Sequence, residues 1–216
     1  MNAFVGSFAP SRLTRTTFAG ARLSGAPVRS AARVTMQAKS KSVPFMDCPK
    51  ALDGSMVGDV GFDPLNFSAY LPLSWLREAE IKHCRLCMLA ALGWLTTEFY
   101  TFPFYANAPK LPTDAHDYFT RTALAQVLLF VCVWEILTTP AVIQMVTGKS
   151  DRKPGYFGFD PLNLTSKWDP AKFEKYQLSE LKNGRLAMIA IGGLVHQAWL
   201  TKMPAIAQIQ AGKFFP

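Results

Sequence analysis

The chain has 216 residues, half of them hydrophobic and 18% charged, with a formal net charge of +8 and a mean hydropathy of +0.11. The charge is uneven: residues 1–41 hold Arg12, Arg15, Arg22, Arg29, Arg33, Lys39 and Lys41 and no acid, leaving 16 basic against 15 acidic residues beyond. That balance excludes a strongly basic nucleic-acid surface for the body of the chain.

The basic leader is rich in Ser, Thr, Ala and Gly and lacks the 7–15-residue apolar core of a secretory signal. It reads as an organelle transit peptide, with a basic nucleic-acid-binding arm as the competing interpretation. Residues 42–59 then form an extended segment carrying Pro and Gly. The first helix is predicted from about Ser74 to Tyr100, ending before Pro103, long enough to exceed the hydrocarbon core of a bilayer. Residues 101–117 read as a loop, because Pro103, Pro109 and Pro112 interrupt it and its aromatics suit a membrane interface. A second helix is predicted over Tyr118–Val146 with a kink at Pro140. A third begins near Asp169–Pro170, a plausible N-cap and N1 pair, and ends near Thr201. The tail, 203–216, reads as a short interfacial helix.

The runs Leu86–Thr97, Ala123–Ile143 and Leu186–Leu200 are apolar most of the way round, which favours three membrane spans over a soluble all-α bundle. Lys149, Arg152 and Lys153 lie in the second connection and Lys39 and Lys41 before the first helix, whereas the first connection has only Lys110. The basic-residue bias therefore puts the N-terminus and the second connection on one side and the tail on the other.

Two patterns occur twice. Gly61-Phe62-Asp63-Pro64-Leu65-Asn66 precedes the first helix and Gly158-Phe159-Asp160-Pro161-Leu162-Asn163 the third, each a turn signal. Glu80-Ile81-Lys82-His83-Cys84-Arg85-Leu86 and Glu180-Leu181-Lys182-Asn183-Gly184-Arg185-Leu186 open the two apolar runs. Glu and Arg five apart on one helix face away from each other, so the repeat implies reciprocal pairs, Glu80 with Arg185 and Glu180 with Arg85, across a pseudo-twofold axis. Such pairs would at least lock two crossing helices. His83 and Asn183, three residues beyond each Glu, add neutral donors suited to axial ligation of metals already held in planar rings. Cys84, Cys87 and Cys132 lie in apolar helical stretches and read as packing residues.

With the two GFDPL turns, E-I-K-H-x-R, E-L-K-N-G-R-L-A-M and Gln197 twelve residues after Arg185, the chain resembles the chlorophyll-binding light-harvesting antenna family of plastids. The loop P-G-Y-F-G-F-D-P-L and the ending H-Q-A-W-L-T-K are most similar to red-lineage members associated with photosystem I. The resemblance implies magnesium ligation of chlorophyll by Glu80, His83, Glu180, Asn183 and Gln197, with His196 as a competing donor. It implies a further ligand on the middle helix: Glu135, as an acid otherwise lacking a partner, with Gln126 the weaker choice. It places carotenoid end groups near Asp63, Pro64, Asp160 and Pro161.

The implied organisation is a plastid transit peptide over 1–37, a stromal segment over 38–73, a three-helix pigment domain over 74–201 and a lumenal tail over 202–216. The location implied is the thylakoid membrane. The implied cofactors are chlorophyll a, with or without an accessory chlorophyll, and carotenoids. The implied partners are a photosystem core, photosystem I favoured, neighbouring antenna subunits and thylakoid lipids, with no nucleic acid. Three departures stand out. The tail has no His, so a pigment there would need Gln208, Gln210 or water. Cys84 opposite Gly184 predicts a slightly wider crossing on one side. Asn at the position of His83 would mark strongly red-shifted pigment pairs, and this chain has His.

No P-loop, G-x-S-x-G or H-E-x-x-H is present, which points away from an enzyme. Two alternatives to an antenna remain: a photoprotective quenching relative, and a small ion or proton transporter using Glu80, Glu135 and Glu180.

Overall fold

The computed structural model describes residues 39–212; the leader predicted over 1–37 lies outside the described residues. The regular elements among them are all helical, three single 3-10 turns and five α-helices: α1 (Leu73–Phe99), α2 (Pro112–Phe119), α3 (Ala123–Val146), α4 (Pro170–Thr201) and α5 (Ala205–Ala211). At 1.5 Å per residue, α1 and α4 are roughly 40 and 48 Å long.

α1 and α4 begin within a residue or so of their expected starts, for visible reasons. Pro72 precedes α1 in an extended conformation. Pro170, which has no N–H to lose, takes the first turn of α4 after an extended Asp169. The Asp169 side chain makes no capping hydrogen bond, so the expected cap acts through backbone geometry alone.

Two expectations need correction. The segment read as a loop contains α2, which starts at Pro112 because proline suits a first helical turn as well as it breaks a helix interior. The middle helix consequently starts at Ala123 rather than Tyr118, after a break at Thr122 (φ −120°, ψ −98°). Downstream it continues through Pro140, with the hydroxyls of Thr138 and Thr139 donating to the Glu135 carbonyl one turn earlier.

The centre of the described residues is the crossing of α1 and α4. Its buried side chains are small or few: Cys84, Leu181, Ala187 and Ala198. Gly184 is what allows the approach. A Cβ there would overlap the Cys84 side chain and lie 3.0 Å from the Cys84 Cα. Cys84 fills the volume that Gly184 leaves empty.

α3 stands to one side, touching α1 and α2. Leu128, Leu129, Phe130, Ile136 and Leu137 are each at least 64% exposed. Among the described residues α3 is the one helix long and apolar enough to cross a membrane by length and composition.

The duplicated turns have duplicated conformations. Gly61 and Gly158 have φ of +67° and +70°, and Asn66 and Asn163 have φ of +55° and +50°. These are left-handed positions that Gly and Asn tolerate best. Buried Ser40 seats the first turn by donating to the Gly61 carbonyl at 2.6 Å.

Candidate functional site

Four ionised side chains meet where α1 crosses α4. Arg85 Nε donates to Glu180 Oε1 at 2.8 Å, and Arg185 Nε donates to Glu80 Oε1 at 2.8 Å. The residues that the repeat relates are thus brought together in opposite senses. Each arginine also reaches a loop carbonyl: Arg85 Nη1 reaches Gly155 O at 2.8 Å, and Arg185 Nη1 reaches Gly58 O at 3.4 Å.

The two carboxylates differ in what they have left to offer. Glu80 Oε2 accepts from Arg77 Nη1 at 2.7 Å, so both its oxygens are engaged by guanidinium groups. Only Oε1 of Glu180 is so engaged.

The neutral donors lie on the outside of the crossing. His83 is exposed, and its Nδ1 lies 2.8 Å from the Ala79 carbonyl. Donation to that carbonyl requires Nδ1 to carry the proton, which leaves Nε2 with an available lone pair. His196 has the same arrangement, with Nδ1 2.8 Å from Gly192 O. Asn183 is exposed, whereas the adjacent candidate Gln197 is half-buried. Among the described residues no three His, Cys, Asp or Glu side chains converge as a cation site. A metal held here would have to arrive with most of its ligands.

Several sequence expectations need correction. Glu135 does not lack a partner: Lys82 Nζ is 2.5 Å from its Oε2. Gln126, the other α3 candidate, is exposed. Gln208 is 1% exposed, and its amide donates to the Thr201 hydroxyl and, at 2.8 Å, to Met203 O. That removes its amide nitrogen from any outward role; Gln210 remains exposed.

The proposed carotenoid anchors Asp63 and Asp160 turn inward on their own loops. Asp63 accepts from the amides of Phe67 and Ser68, and Asp160 from those of Leu164 and Thr165 and from the Thr165 hydroxyl. Burial acts to raise the Asp63 carboxyl, but hydrogen bonds from Ser68, Phe67 and Asn66 outweigh it and leave it below its ordinary value. For Asp160 the hydrogen bonds from Thr165, then Leu164, push the same way. Pro64 and Pro161 follow these aspartates directly and fix the turn direction.

Sequence reading missed Glu78. It is 2% exposed and accepts from the Gly155 amide at 2.6 Å and from Arg152 Nη2 at 3.1 Å. Its signal was weak: Glu78 has no counterpart in the repeat, where position 178 is Leu. Glu98 was missed similarly; its two oxygens accept from the Ala205 and Ile206 amides at the start of α5.

Residues 48–199 match the family model described as chlorophyll A-B binding protein. The chain is 35% identical over 162 residues to chlorophyll a-b binding protein 7, chloroplastic, of Solanum lycopersicum, covering 67% of this chain and 60% of that protein. It is 37% identical over 172 residues to fucoxanthin-chlorophyll a-c binding protein, chloroplastic, of Chattonella marina var. antiqua, covering 76% and 77% of the two chains. It is 36% identical over 151 residues to light-harvesting complex stress-related protein 1, chloroplastic, of Chlamydomonas reinhardtii, covering 63% and 59%. The chain thus spans about three fifths of the tomato relative's length. The family match takes in both turns and the whole helix crossing, and on its extent the chain belongs to the chlorophyll a-b binding protein family.

Proposed function

We propose that the protein is a light-harvesting antenna of the thylakoid membrane that binds chlorophylls and carotenoids and passes excitation to a photosystem core. The observation that carries this reading is the reciprocal Glu–Arg crossing with His83 beside it. Arginine neutralises each glutamate, so a carboxylate can persist next to apolar surface and present an oxygen without a net charge. Donation from His83 Nδ1 to a backbone carbonyl directs Nε2 away from the helix. Donors of this kind fit a metal that needs one further ligand, as chlorophyll magnesium does.

On this reading His83, Glu180, Asn183 and Gln197 hold magnesium directly. Glu80 contributes through a remaining lone pair, and Glu135 through the oxygen that Lys82 leaves free. When bound, the pigments absorb light and transfer excitation; the chain sets their spacing and orientation. The exposed apolar faces of α1, α3 and α4 supply contact area for pigment and lipid. Three spans rest on the apolar runs of α1, α3 and α4, and the basic loop residues support a stromal N-terminus and a lumenal tail. The loop P-G-Y-F-G-F-D-P-L supports photosystem I as the partner within this proposal.

His83→Leu in the full chain, refolded with chlorophyll a and carotenoid, tests the reading by pigment-to-protein ratio. Loss of about one chlorophyll with helix content retained is expected; an unchanged ratio refutes ligation by His83.

A photoprotective role is the second reading, supported by similarity to the stress-related relative of C. reinhardtii. Fluorescence lifetime of the refolded protein separates the two: steady on acidification for an antenna, shortened for a quencher. Transport is disfavoured, because Glu80, Glu135 and Glu180 are each held in an ion pair.

A further inference from the structure

The two halves of the crossing are not equivalent, and the difference lies in the loops behind the arginines. Gly58 packs against apolar side chains: a Cβ there would meet Leu181 Cδ2 at 2.6 Å and Leu178 Cδ1 at 3.4 Å. Its carbonyl lies 3.4 Å from Arg185. Gly155, at the matching place, has its N–H 2.6 Å from buried Glu78 and its carbonyl 2.8 Å from Arg85. Glu78 stands where the other half has Leu178.

Arg152 completes the arrangement. Its Nη2 reaches Glu78, its Nη1 donates to Tyr156 O at 3.0 Å, and its guanidinium lies 4.6 Å from the Phe157 ring centroid. Gly155 is thus held at both of its flanking peptide groups: α1 fixes its N–H through Glu78, and its carbonyl oxygen in turn fixes Arg85. A glycine is required at 155, where a Cβ would lie 2.7 Å from Ile81 Cδ1 and φ is +77°.

We propose that Glu78 is a positioning residue for the ligand at Glu180, acting through Gly155 and Arg85, and that Arg152 pairs with Glu78 and holds it in that place. The inference rests on the reading of Glu180 as a magnesium ligand. It also gives a purpose to a buried charge pair for which stability is a weak rationale, since such pairs are often replaceable by apolar residues. The two glutamate sites are therefore oriented differently: Glu180 through Arg85, Gly155 and Glu78, and Glu80 by Arg185 together with Arg77 of its own helix.

The test uses the full chain refolded with chlorophyll a and carotenoid. Visible circular dichroism of wild type minus Glu180→Leu defines the signal of the Glu180 pigment. Glu78→Leu combined with Arg152→Met removes both buried charges together, so folding is expected to survive. The double variant is expected to lose more than half of the Glu180 signal while keeping the His83 signal, similarly defined with His83→Leu, and its melting temperature. Glu78→Gln, which retains an oxygen for the Gly155 N–H, is expected to restore most of the loss. A full Glu180 signal in the double variant, an equal loss of both signals, or no restoration by Glu78→Gln overturns the assignment. If Glu180→Leu itself changes nothing, the ligand reading of Glu180 fails first.

Discussion

Cys84 occupies the space that the missing side chain of Gly184 provides, and this single exchange sets how closely α1 and α4 approach. Cys84 is 1% exposed, and a methyl group on residue 184 would collide with it. Bulk is allowed on one side of the crossing only.

Gly184→Ala is therefore expected to destabilise the loaded protein by about 1–3 kcal/mol, the usual cost of overpacking a close contact. Cys84→Gly combined with Gly184→Ala moves the bulk across the crossing and should recover most of that loss. Thermal denaturation followed by loss of visible circular dichroism measures both. Independent, additive losses in the two single variants and the pair would show that the residues do not share this volume.

Lys82 and Glu135 form an ion pair between α1 and α3. Lys82→Met leaves Glu135 facing apolar surroundings, and a lone carboxylate there costs roughly 2.5–3.5 kcal/mol on insertion scales. Lower thermal stability is expected for Lys82→Met, with recovery when Glu135→Gln is added. If Glu135 also holds a pigment, the double variant regains stability yet still lacks one chlorophyll, and pigment counting separates the two roles.

The legibility of this site follows from repetition. Glu80, Arg85, Glu180 and Arg185 announce their partners because the chain writes the same pattern twice, and a twofold relation needs no knowledge of loop paths. The matched φ values at Asn66 and Asn163 extend that to the turns. Glu78, Arg77 and Arg152 lie outside the duplication, and Lys82, though Lys182 repeats it, pairs with Glu135 of the unrepeated α3. Glu78 meets Arg152 across 74 positions of chain, and periodicity says nothing about which loop residue will fold back. α2 was hidden for a different reason: Pro112 carries equal local weight as a breaker and as a first-turn residue, and the surrounding prolines tipped the reading toward a loop.

Asp63 and Asp160 lead to an acid-stability prediction. Their carboxyls lie below the ordinary 3.8 in the folded protein because the ionised form accepts several hydrogen bonds. The stabilisation is complete above the unfolded value and is lost as pH falls through the lower folded values. The melting temperature is expected to hold its contribution from these turns down to about pH 4 and to lose it below. Asp63→Asn with Asp160→Asn should start lower at neutral pH and show a shallower decline in acid. An identical acid profile for variant and wild type would mean that other carboxylates govern it.

Glu98 ends α1 by capping α5, with Oε1 2.9 Å from the Ala205 amide and Oε2 2.8 Å from that of Ile206. These amides have no partners within a seven-residue helix, and a helix so short has little stability of its own. Glu98→Ala should cost about 1 kcal/mol, the usual scale of a lost N-terminal cap, and the loss should stay local. Amide hydrogen exchange is the direct measurement. Protection is expected to fall over 205–211 while the α1–α4 crossing keeps its protection and the pigment ratio is unchanged. Glu98→Gln, which retains one good acceptor, should lie between the two. Equal loss of protection at the crossing would mean that Glu98 supports α1 itself, since a cap on the tail has no route to the buried contact between Cys84 and Gly184.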